Sequence, residues 1–212
     1  MLRKFAGSSS IAGQLVITGG KSSSGRYLNS SKIFTEDSGW EDLAELPVGT
    51  EYHCQVTVGD TLYLVGGDTP NGRTADMFKL NMTSRPRRWV KQRSLDTPRL
   101  GHACTEWEGG VVVIGGLSNS DRLSSVEWHN PVRNTWVTMA PLPTTLSGMQ
   151  AVVWGNSLYV FGGKDDSNWS KAIYKLEKGQ DTWHVLGATL QNFETRTVFP
   201  AVTLSNIHCK QN

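Results

Sequence analysis

The sequence predicts an all-β fold of four successive four-stranded sheets, because two kinds of landmark recur with one common period. Paired glycines end an apolar run four times, and the second glycines are spaced by 47, 49 and 47 residues. A tryptophan follows each pair with spacings of 49, 47 and 47 residues. Self-similarity at such a period is typical of repeat architectures. The landmarks are Gly19-Gly20, Gly66-Gly67, Gly115-Gly116 and Gly162-Gly163, with Trp40, Trp89, Trp136 and Trp183.

Each repeat contains four short β-prone runs separated by turn residues. In the second repeat the runs are residues 53–58, 62–65 and 77–80 and the segment around Trp89, and the turn Gly59-Asp60 separates the first two. Short runs bounded by Gly, Asn, Asp and Pro are typical of strands in a meander. No segment has the length and periodicity of a long helix.

These repeats predict stacking of the sheets around an axis. A four-stranded unit of this length cannot bury both of its faces alone, and radial stacking of such units gives a β-propeller. The glycine pairs permit positive φ and close backbone approach where neighbouring blades crowd, and the tryptophans fill the space between blades. We place the blades at about residues 11–46, 51–95, 100–142 and 147–188 of a single domain spanning residues 1–212.

The closure of the ring has three possible solutions. Residues 196–204 resemble the first strand of a repeat, with Arg196 in the place of Arg99. Residues 5–10 form a poor strand candidate, so the segment 196–204 could pair beside residues 15–18 and complete the first blade. The alternatives are a piece of a larger propeller and self-association, because an open arc would expose sheet edges.

Composition and charge exclude several function classes. The chain has 21 basic and 19 acidic side chains, and this net charge of +2 does not indicate nucleic acid or a membrane surface as a partner. No run of about 18 apolar residues could span a membrane, and the apolar region of a signal peptide is missing. The three cysteines lie far apart, so we expect reduced thiols and a cytoplasmic location.

No catalytic or metal-binding motif is evident. The five histidines fall in different strands or turns without the short spacing of a metal site. His53 and His102 occupy equivalent repeat positions, which a repeated packing role explains better than ligation. Each glycine pair ends a strand and does not open a helix, so no phosphate-binding loop is indicated. We therefore predict a non-enzymatic protein without a cofactor or a metal.

Several of these residues recur in a known repeat family. With Gly66-Gly67, Phe78, Trp89 and the repeat start at residues 99–102, the chain resembles Kelch-repeat proteins. The resemblance implies a Kelch-type propeller that binds a protein or peptide, such as a ubiquitin-ligase substrate or a cytoskeletal protein. The alternative is a small carbohydrate-binding propeller, or one like the sialic acid epimerases of similar fold, whose chemistry uses Arg, Glu and His near the channel.

The predicted binding surface is the face on which two sets of loops emerge together. In a four-strand meander, the loop after each glycine pair and the loop between blades share one end of the sheet. Loops on a rigid scaffold commonly carry binding chemistry, and Arg, Tyr and Trp commonly dominate interfaces. The candidate partner-binding residues are Arg26, Tyr27, Asp68, Asn71, Arg73, Arg99, Asn119, Asp121, Arg122, Asp165, Asp166, Asn168, Trp169 and Arg196.

Overall fold

The computed structural model describes residues 2–187 and confirms the predicted fold class. This part of the chain contains strands and turns, and four antiparallel sheets of four strands follow one another along it. No helix that could cross a membrane occurs within residues 2–187.

The strands are numbered in chain order. The first blade and its flanks contain β1 (Arg3–Lys4), β2 (Gly7–Ile11), β3 (Gln14–Thr18), β4 (Lys21–Ser22), β5 (Ser31–Thr35) and β6 (Gly39–Asp42). The second contains β7 (Cys54–Val58), β8 (Thr61–Val65), β9 (Asp68–Thr69), β10 (Gly72–Arg73), β11 (Met77–Asn81) and β12 (Val90–Gln92). The third contains β13 (Ala103–Trp107), β14 (Gly110–Ile114), β15 (Val126–Asn130) and β16 (Thr135–Met139). The fourth contains β17 (Ser147–Trp154), β18 (Ser157–Lys164), β19 (Ile173–Glu177) and β20 (His184–Val185).

Each blade is an antiparallel meander whose first strand lies innermost. The strand orders are β2-β3-β5-β6, β7-β8-β11-β12, β13-β14-β15-β16 and β17-β18-β19-β20. First strands of consecutive blades contact one another, β2 with β7, β7 with β13 and β13 with β17. The short pairs β1-β4 and β9-β10 flank the glycine-pair loops of the first two blades.

The innermost strand of the first blade corrects one prediction. Residues 5–10 were expected to make a poor strand, yet β2 pairs with β3 along its whole length and β5 occupies the other edge of β3. The ladder needs only backbone groups, and Ser9 Oγ accepts a hydrogen bond from Gln55 Nε2 at 2.7 Å. The place beside residues 15–18 is therefore filled within the blade. The predicted closing segment 196–204 lies outside the described residues.

Apolar side chains fill the spaces between neighbouring blades. The three larger core clusters combine residues from the second and third strands of one blade with residues of the next blade, and burying this surface supplies most of the favourable free energy of stacking. Val16 and Ile33 pack with Leu62 and Leu80, Val65 and Met77 with Val111 and Val113, and Val112 and Val126 with Leu158 and Val160.

The glycine pairs join each blade to the next. The amide of the second glycine donates to a carbonyl that enters the following blade, from Gly20 to Thr50 at 2.7 Å, from Gly67 to Arg99 at 2.8 Å and from Gly116 to Leu146 at 2.8 Å. Both glycines of every pair have positive φ. A Cβ on Gly66 would lie 2.7 Å from the Arg99 carbonyl oxygen, so close approach as well as conformation requires glycine.

The repeated tryptophans form a second link between blades, as predicted. In the last three repeats, the tryptophan indole Nε1 donates to a carbonyl of the preceding blade. These hydrogen bonds run from Trp89 to Ala44 at 2.9 Å, from Trp136 to Arg93 at 2.8 Å and from Trp183 to Ala140 at 2.9 Å. Trp40 belongs to the first blade and is exposed.

Within residues 2–187, no neighbouring blade covers the outer face of the first blade or that of the fourth blade. Leu15 in β3 is 45% exposed, whereas its counterparts Leu62 and Leu158 are fully buried. Trp154 in β17 is 76% exposed, whereas its counterpart Trp107 is 5% exposed because the fourth blade covers it. No comparable contact joins β2 to β17 within residues 2–187. In this part of the chain the blades form an open arc.

The cysteines correct a second prediction. Cys54 and Cys104 form a disulfide, so the expectation of reduced thiols is wrong for this pair. Cys54 lies in β7 and Cys104 in β13, and the contact between these strands brings the two Cα atoms to 5.9 Å. This distance is typical of disulfides. The bond ties the innermost strands of the second and third blades together.

Gly66 and Gly162 provide a matched test of the contact between blades. Their φ values are 61° and 71°, but a Cβ on Gly162 would meet no atom of the described residues within 4 Å. Gly66→Ala should lower the free energy of unfolding by about 2–4 kcal/mol, because it adds a steric clash to left-handed strain of about 1 kcal/mol. Gly162→Ala should lower the free energy of unfolding by the left-handed strain alone. Equal losses in urea unfolding would contradict the requirement for close approach.

The disulfide should contribute measurably to stability. It closes a loop with a sequence separation of 50 residues, so replacing Cys54 and Cys104 together by Ser should lower the free energy of unfolding by up to about 4 kcal/mol. Dithiothreitol should lower the melting temperature of the wild-type chain and leave that of the double variant unchanged. A wild-type melting temperature indifferent to reductant would contradict the bond.

Candidate functional site

The predicted loop face is braced across the first two blades. Tyr27 Oη donates to Asp68 Oδ2 at 2.6 Å, and Lys21 Nζ lies 2.6 Å from Glu51 Oε1 and 4.1 Å from the centroid of the Tyr27 ring. The hydrogen bond to Asp68 raises the pKa of Tyr27. Tyr27 and Asp68, both candidate binding residues, therefore contact each other and hold neighbouring loops in place.

A similar brace joins the third and fourth blades. The Arg122 guanidinium donates to Ser147 Oγ, and its Nε lies 3.3 Å from Asp166 Oδ1. Thr145 Oγ1 donates to the second oxygen of the same carboxylate at 2.8 Å. Asp165 accepts the backbone amides of two residues in its own loop, and these hydrogen bonds lower its pKa.

The structure corrects the interpretation of Arg99 as a partner-binding residue. Its side chain is 1% exposed. Nη2 lies 2.5 Å from Glu127 Oε1, and Nη1 donates to the Gly115 carbonyl and to Ser125 Oγ at 3.1 Å each. Burial lowers the pKa of Arg99 and raises that of Glu127, while their pairing opposes both shifts. All three guanidinium nitrogens donate within the protein, since Nε also donates to the Thr97 carbonyl at 3.3 Å, so this buried side chain binds the third blade and does not face a partner.

Arg3 repeats the same structural position in the first blade. Its guanidinium donates to the Gly19 carbonyl at 3.0 Å and to the Ser30 carbonyl at 3.2 Å. The arginine that begins a repeat therefore fastens the loop after the glycine pair in two blades. Arg196, placed in the same series by its sequence, lies outside the described residues.

The remaining candidates project from the loop face. Arg73 is half-buried, and neither it nor Arg26 has a hydrogen-bond or ion-pair partner for its guanidinium among the described residues. These two cations are therefore free to meet a partner. The exposed candidates are Arg26, Asn71, Asn119, Asp121, Asn168 and Trp169.

A belt of backbone hydrogen bonds follows the arc of inner strands at the mouth of the channel. Phe5, Tyr52, Gly101 and Gly148 occupy one repeat position, and their φ values are 57°, 53°, 59° and 69°. The Tyr52 amide donates to the Phe5 carbonyl at 3.0 Å, Gly101 to Tyr52 at 3.2 Å and Gly148 to Gly101 at 2.7 Å. The sequence analysis missed this position, although glycine at the same place in two repeats was a signal for it.

Two aromatic rings form one side of this mouth. The rings of Phe5 and Tyr52 stack with centroids 4.1 Å apart and planes at 21°. Below them lies a cavity of about 380 Å³, whose wall is formed by the first residues of all four inner strands. The Cys54–Cys104 disulfide and Met149 contribute to this wall.

His53 and His102 also line the cavity, but both pack against the preceding blade. A Cβ on Gly66 would lie 2.7 Å from His102 Cε1, and His53 Nε2 lies 2.9 Å from Thr18 Oγ1. Burial lowers the pKa of His53 to about 4 and, together with the nearby Arg99 charge, that of His102 to about 3. No group of three or more His, Cys, Asp or Glu side chains suited to a metal occurs within residues 2–187.

Comparisons with known proteins agree with this architecture. The Kelch motif model matches residues 98–143 and 145–188. Kelch-like protein 35 from Mus musculus is 30% identical over 151 residues, covering 70% of this chain and 25% of its own length. Kelch-like protein 36 from Mus musculus is 27% identical over 134 residues, covering 62% and 22%. Alpha-scruin from Limulus polyphemus is 27% identical over 176 residues, covering 74% and 19%.

The chain spans about a quarter of the length of these curated relatives. A solved structure of YjhT superposes with a TM-score of 0.72 at 15% sequence identity, covering 85% of this chain and 68% of that one, and shows the shared fold. A series of four-stranded meanders joined through their innermost strands defines a β-propeller. With its Kelch motifs, the chain is a Kelch-repeat protein.

The buried histidines make stability depend on pH. In the unfolded chain both imidazoles bind a proton near pH 6.5, whereas in the folded chain His53 does so near pH 4 and His102 near pH 3. The unfolded state therefore binds more protons than the folded state as the pH falls below 6.5. Their contribution is complete above pH 6.5 and is lost as the pH falls toward 4. Each histidine contributes about 2.5 kcal/mol over the roughly two pH units below 6.5, so the free energy of unfolding at pH 4.5 should be lower than at pH 7.5 by about 5 kcal/mol.

Urea unfolding at a series of pH values measures this effect. His102→Gln should flatten the profile between pH 6.5 and 4.5, since the variant lacks one of the two titrating groups. His184→Gln is the control, because His184 is exposed in β20. A profile unchanged by His102→Gln would contradict the assignment.

Proposed function

We propose that this chain is a non-enzymatic interaction module that binds a peptide or protein through the loop face of its propeller. Kelch-repeat proteins generally mediate protein–protein interactions. The observation that carries the proposal for this chain is that some polar side chains of the loop face brace neighbouring blades, whereas others have no partner among the described residues.

The bracing residues support binding by reducing the mobility of the loops. Tyr27 with Asp68 and Arg122 with Asp166 connect loops of adjacent blades. A surface held in one conformation before binding loses less conformational entropy when a partner arrives. The free guanidiniums of Arg26 and Arg73 lie among these fixed loops and can form directed hydrogen bonds to a partner.

The channel cavity favours binding over acid–base catalysis. Its described wall contains Arg3 and two histidines but no Asp or Glu. The pKa values of about 4 and 3 keep His53 and His102 neutral near pH 7, so neither imidazole can donate a proton as an imidazolium there. The convergent Arg, His and carboxylate expected of an epimerase-like site are not brought together in this cavity.

The kind of partner and its compartment remain predictions. A ubiquitin-ligase substrate and a cytoskeletal protein are both compatible with a peptide-binding loop face. A cytoplasmic location is the prediction from the sequence, whereas a persistent Cys54–Cys104 disulfide would favour an oxidising compartment. The oxidation state of the pair in cells would distinguish these two compartments.

Substitution of Arg73 should affect peptide binding, whereas substitution of Arg122, also on the loop face, should affect stability. The probes are peptides selected on the wild-type chain from a random 12-residue display library. We expect Arg73→Ala to weaken their binding by about tenfold without changing the melting temperature of the protein. Arg122→Ala should lower the melting temperature, because it removes the links to Ser147 and Asp166. Isothermal titration calorimetry and thermal unfolding measure the two effects.

Arg133→Ala is the matched control, because Arg133 is an exposed arginine in the turn between β15 and β16, at the opposite end of the blade. It should change neither quantity. Selection of no peptide, or affinities unaffected by substitution of Arg26, Arg73 and Trp169, would refute the proposed loop-face function.

A further inference from the structure

Two aromatic residues at the channel mouth occupy a backbone conformation that favours glycine. Phe5 and Tyr52 have φ values of 57° and 53°, and their counterparts in the other two blades are Gly101 and Gly148. Left-handed conformations are unfavourable for residues other than glycine, and bulky side chains adopt them rarely. Strained residues of this kind concentrate at functional sites.

The belt of hydrogen bonds does not account for these rings. It uses only backbone amides and carbonyls, and Gly101 and Gly148 take part in it in the same way as Tyr52. Glycine at positions 5 and 52 would preserve the belt and relieve the strain. The backbone belt therefore does not explain why these two positions are aromatic.

The two rings present a continuous aromatic surface at the opening. Phe5 is 42% exposed and stacks on Tyr52, and Lys4 Nζ lies 5.3 Å from the Phe5 centroid. Exposed aromatic surface favours the offset or edge-on packing of another ring.

Next to Gly101, the described residues leave room for an entering side chain. A Cβ on Gly101 would meet only the Gly148 amide nitrogen, at 3.8 Å. The cavity below holds about 380 Å³, within the range of roughly 300–1,000 Å³ typical of ligand pockets. Ala6, Ala103 and Met149 contribute apolar wall.

The charges at this wall are already neutralised or occupied. The Arg3 guanidinium donates to backbone carbonyls, and the histidines are neutral because burial lowers their pKa. Gln55 Nε2 donates to Ser9 Oγ, and its Oε1 accepts from Thr18 Oγ1. The cavity is therefore suited to an uncharged side chain with a large apolar surface.

We infer that the mouth formed by Phe5, Tyr52, Gly101 and Gly148 receives one aromatic side chain of the partner, which stacks on the two rings and enters the cavity. The inference rests on the proposed function and specifies its partner as a peptide segment with a Phe, Tyr or Trp anchor. Free loop-face groups such as Arg73 then contact the residues beside the anchor.

The first test uses peptides selected on the wild-type chain from the random 12-residue library. The selected peptides should share an aromatic residue at one aligned position, and its replacement by Ala should weaken binding at least tenfold. Tyr52→Gly and Phe5→Gly should each weaken binding of the parent peptide by about tenfold. Both variants should keep their melting temperature within a few degrees, because relief of left-handed strain offsets the added freedom of the unfolded chain.

Trp154→Ala is the matched control, since it removes an exposed aromatic side chain at the end of β17 that lies opposite the mouth. Peptides should keep their preference for the aromatic anchor on this variant. Selected peptides without a shared aromatic residue, or affinities unchanged by both glycine substitutions, would overturn the inference and leave the loop-face function standing. Failure to select any peptide would overturn the loop-face function.

The second test examines the mouth without a peptide. Titration with N-acetyl-L-tryptophanamide should shift the NMR resonances of Phe5, Tyr52 and Gly101 in the wild-type chain, and N-acetylglycinamide should not. Tyr52→Gly should remove most of the shift at equal ligand concentration. A wild-type chain whose mouth resonances do not respond to the indole ligand would overturn the inference.

Discussion

The hydrogen bond from the second glycine of a pair to the first carbonyl of the next blade sets how closely neighbouring sheets stack. It recurs at all three contacts between blades, with nitrogen–oxygen distances of 2.7 to 2.8 Å. The first glycine lies against the same carbonyl, and a side chain there would force the sheets apart. Gly162 has open space around it, because the fourth blade has no following blade within the described residues. Burial of the apolar side chains between blades depends on this close approach.

Because these links use backbone atoms and glycine, side chains at the same repeat position can differ without changing the fold. The position that enters each blade is Arg3, Thr50, Arg99 and Leu146 in turn, and only the two arginines bind the loop after their own glycine pair. The channel mouth follows the same rule, since Phe5, Tyr52 and two glycines share one conformation. A scaffold of this kind can vary its binding chemistry at low cost in stability.

The loop face combines rigid and free groups. Ion pairs and hydrogen bonds between blades hold Tyr27, Asp68, Arg122 and Asp166, whereas Arg26, Arg73 and Trp169 are among the groups available to a partner. The Cys54–Cys104 disulfide holds the inner strands at the centre of the same face. Together these contacts place a preorganised surface around the aromatic mouth.

The repeat period determined the fold class, the four blades and the interblade role of the tryptophans, because each rests on a pattern that recurs along the chain. The burial of Arg99, the disulfide and the strand β2 did not follow from that pattern. The Arg99–Glu127 pair and the serine-rich strand depend on partners in neighbouring strands, and Cys54 meets Cys104 only because β7 and β13 stack. The repeat pattern did not predict a role for Phe5 and Tyr52 for the same reason, since their strain and stacking exist only where the inner strands of two blades converge.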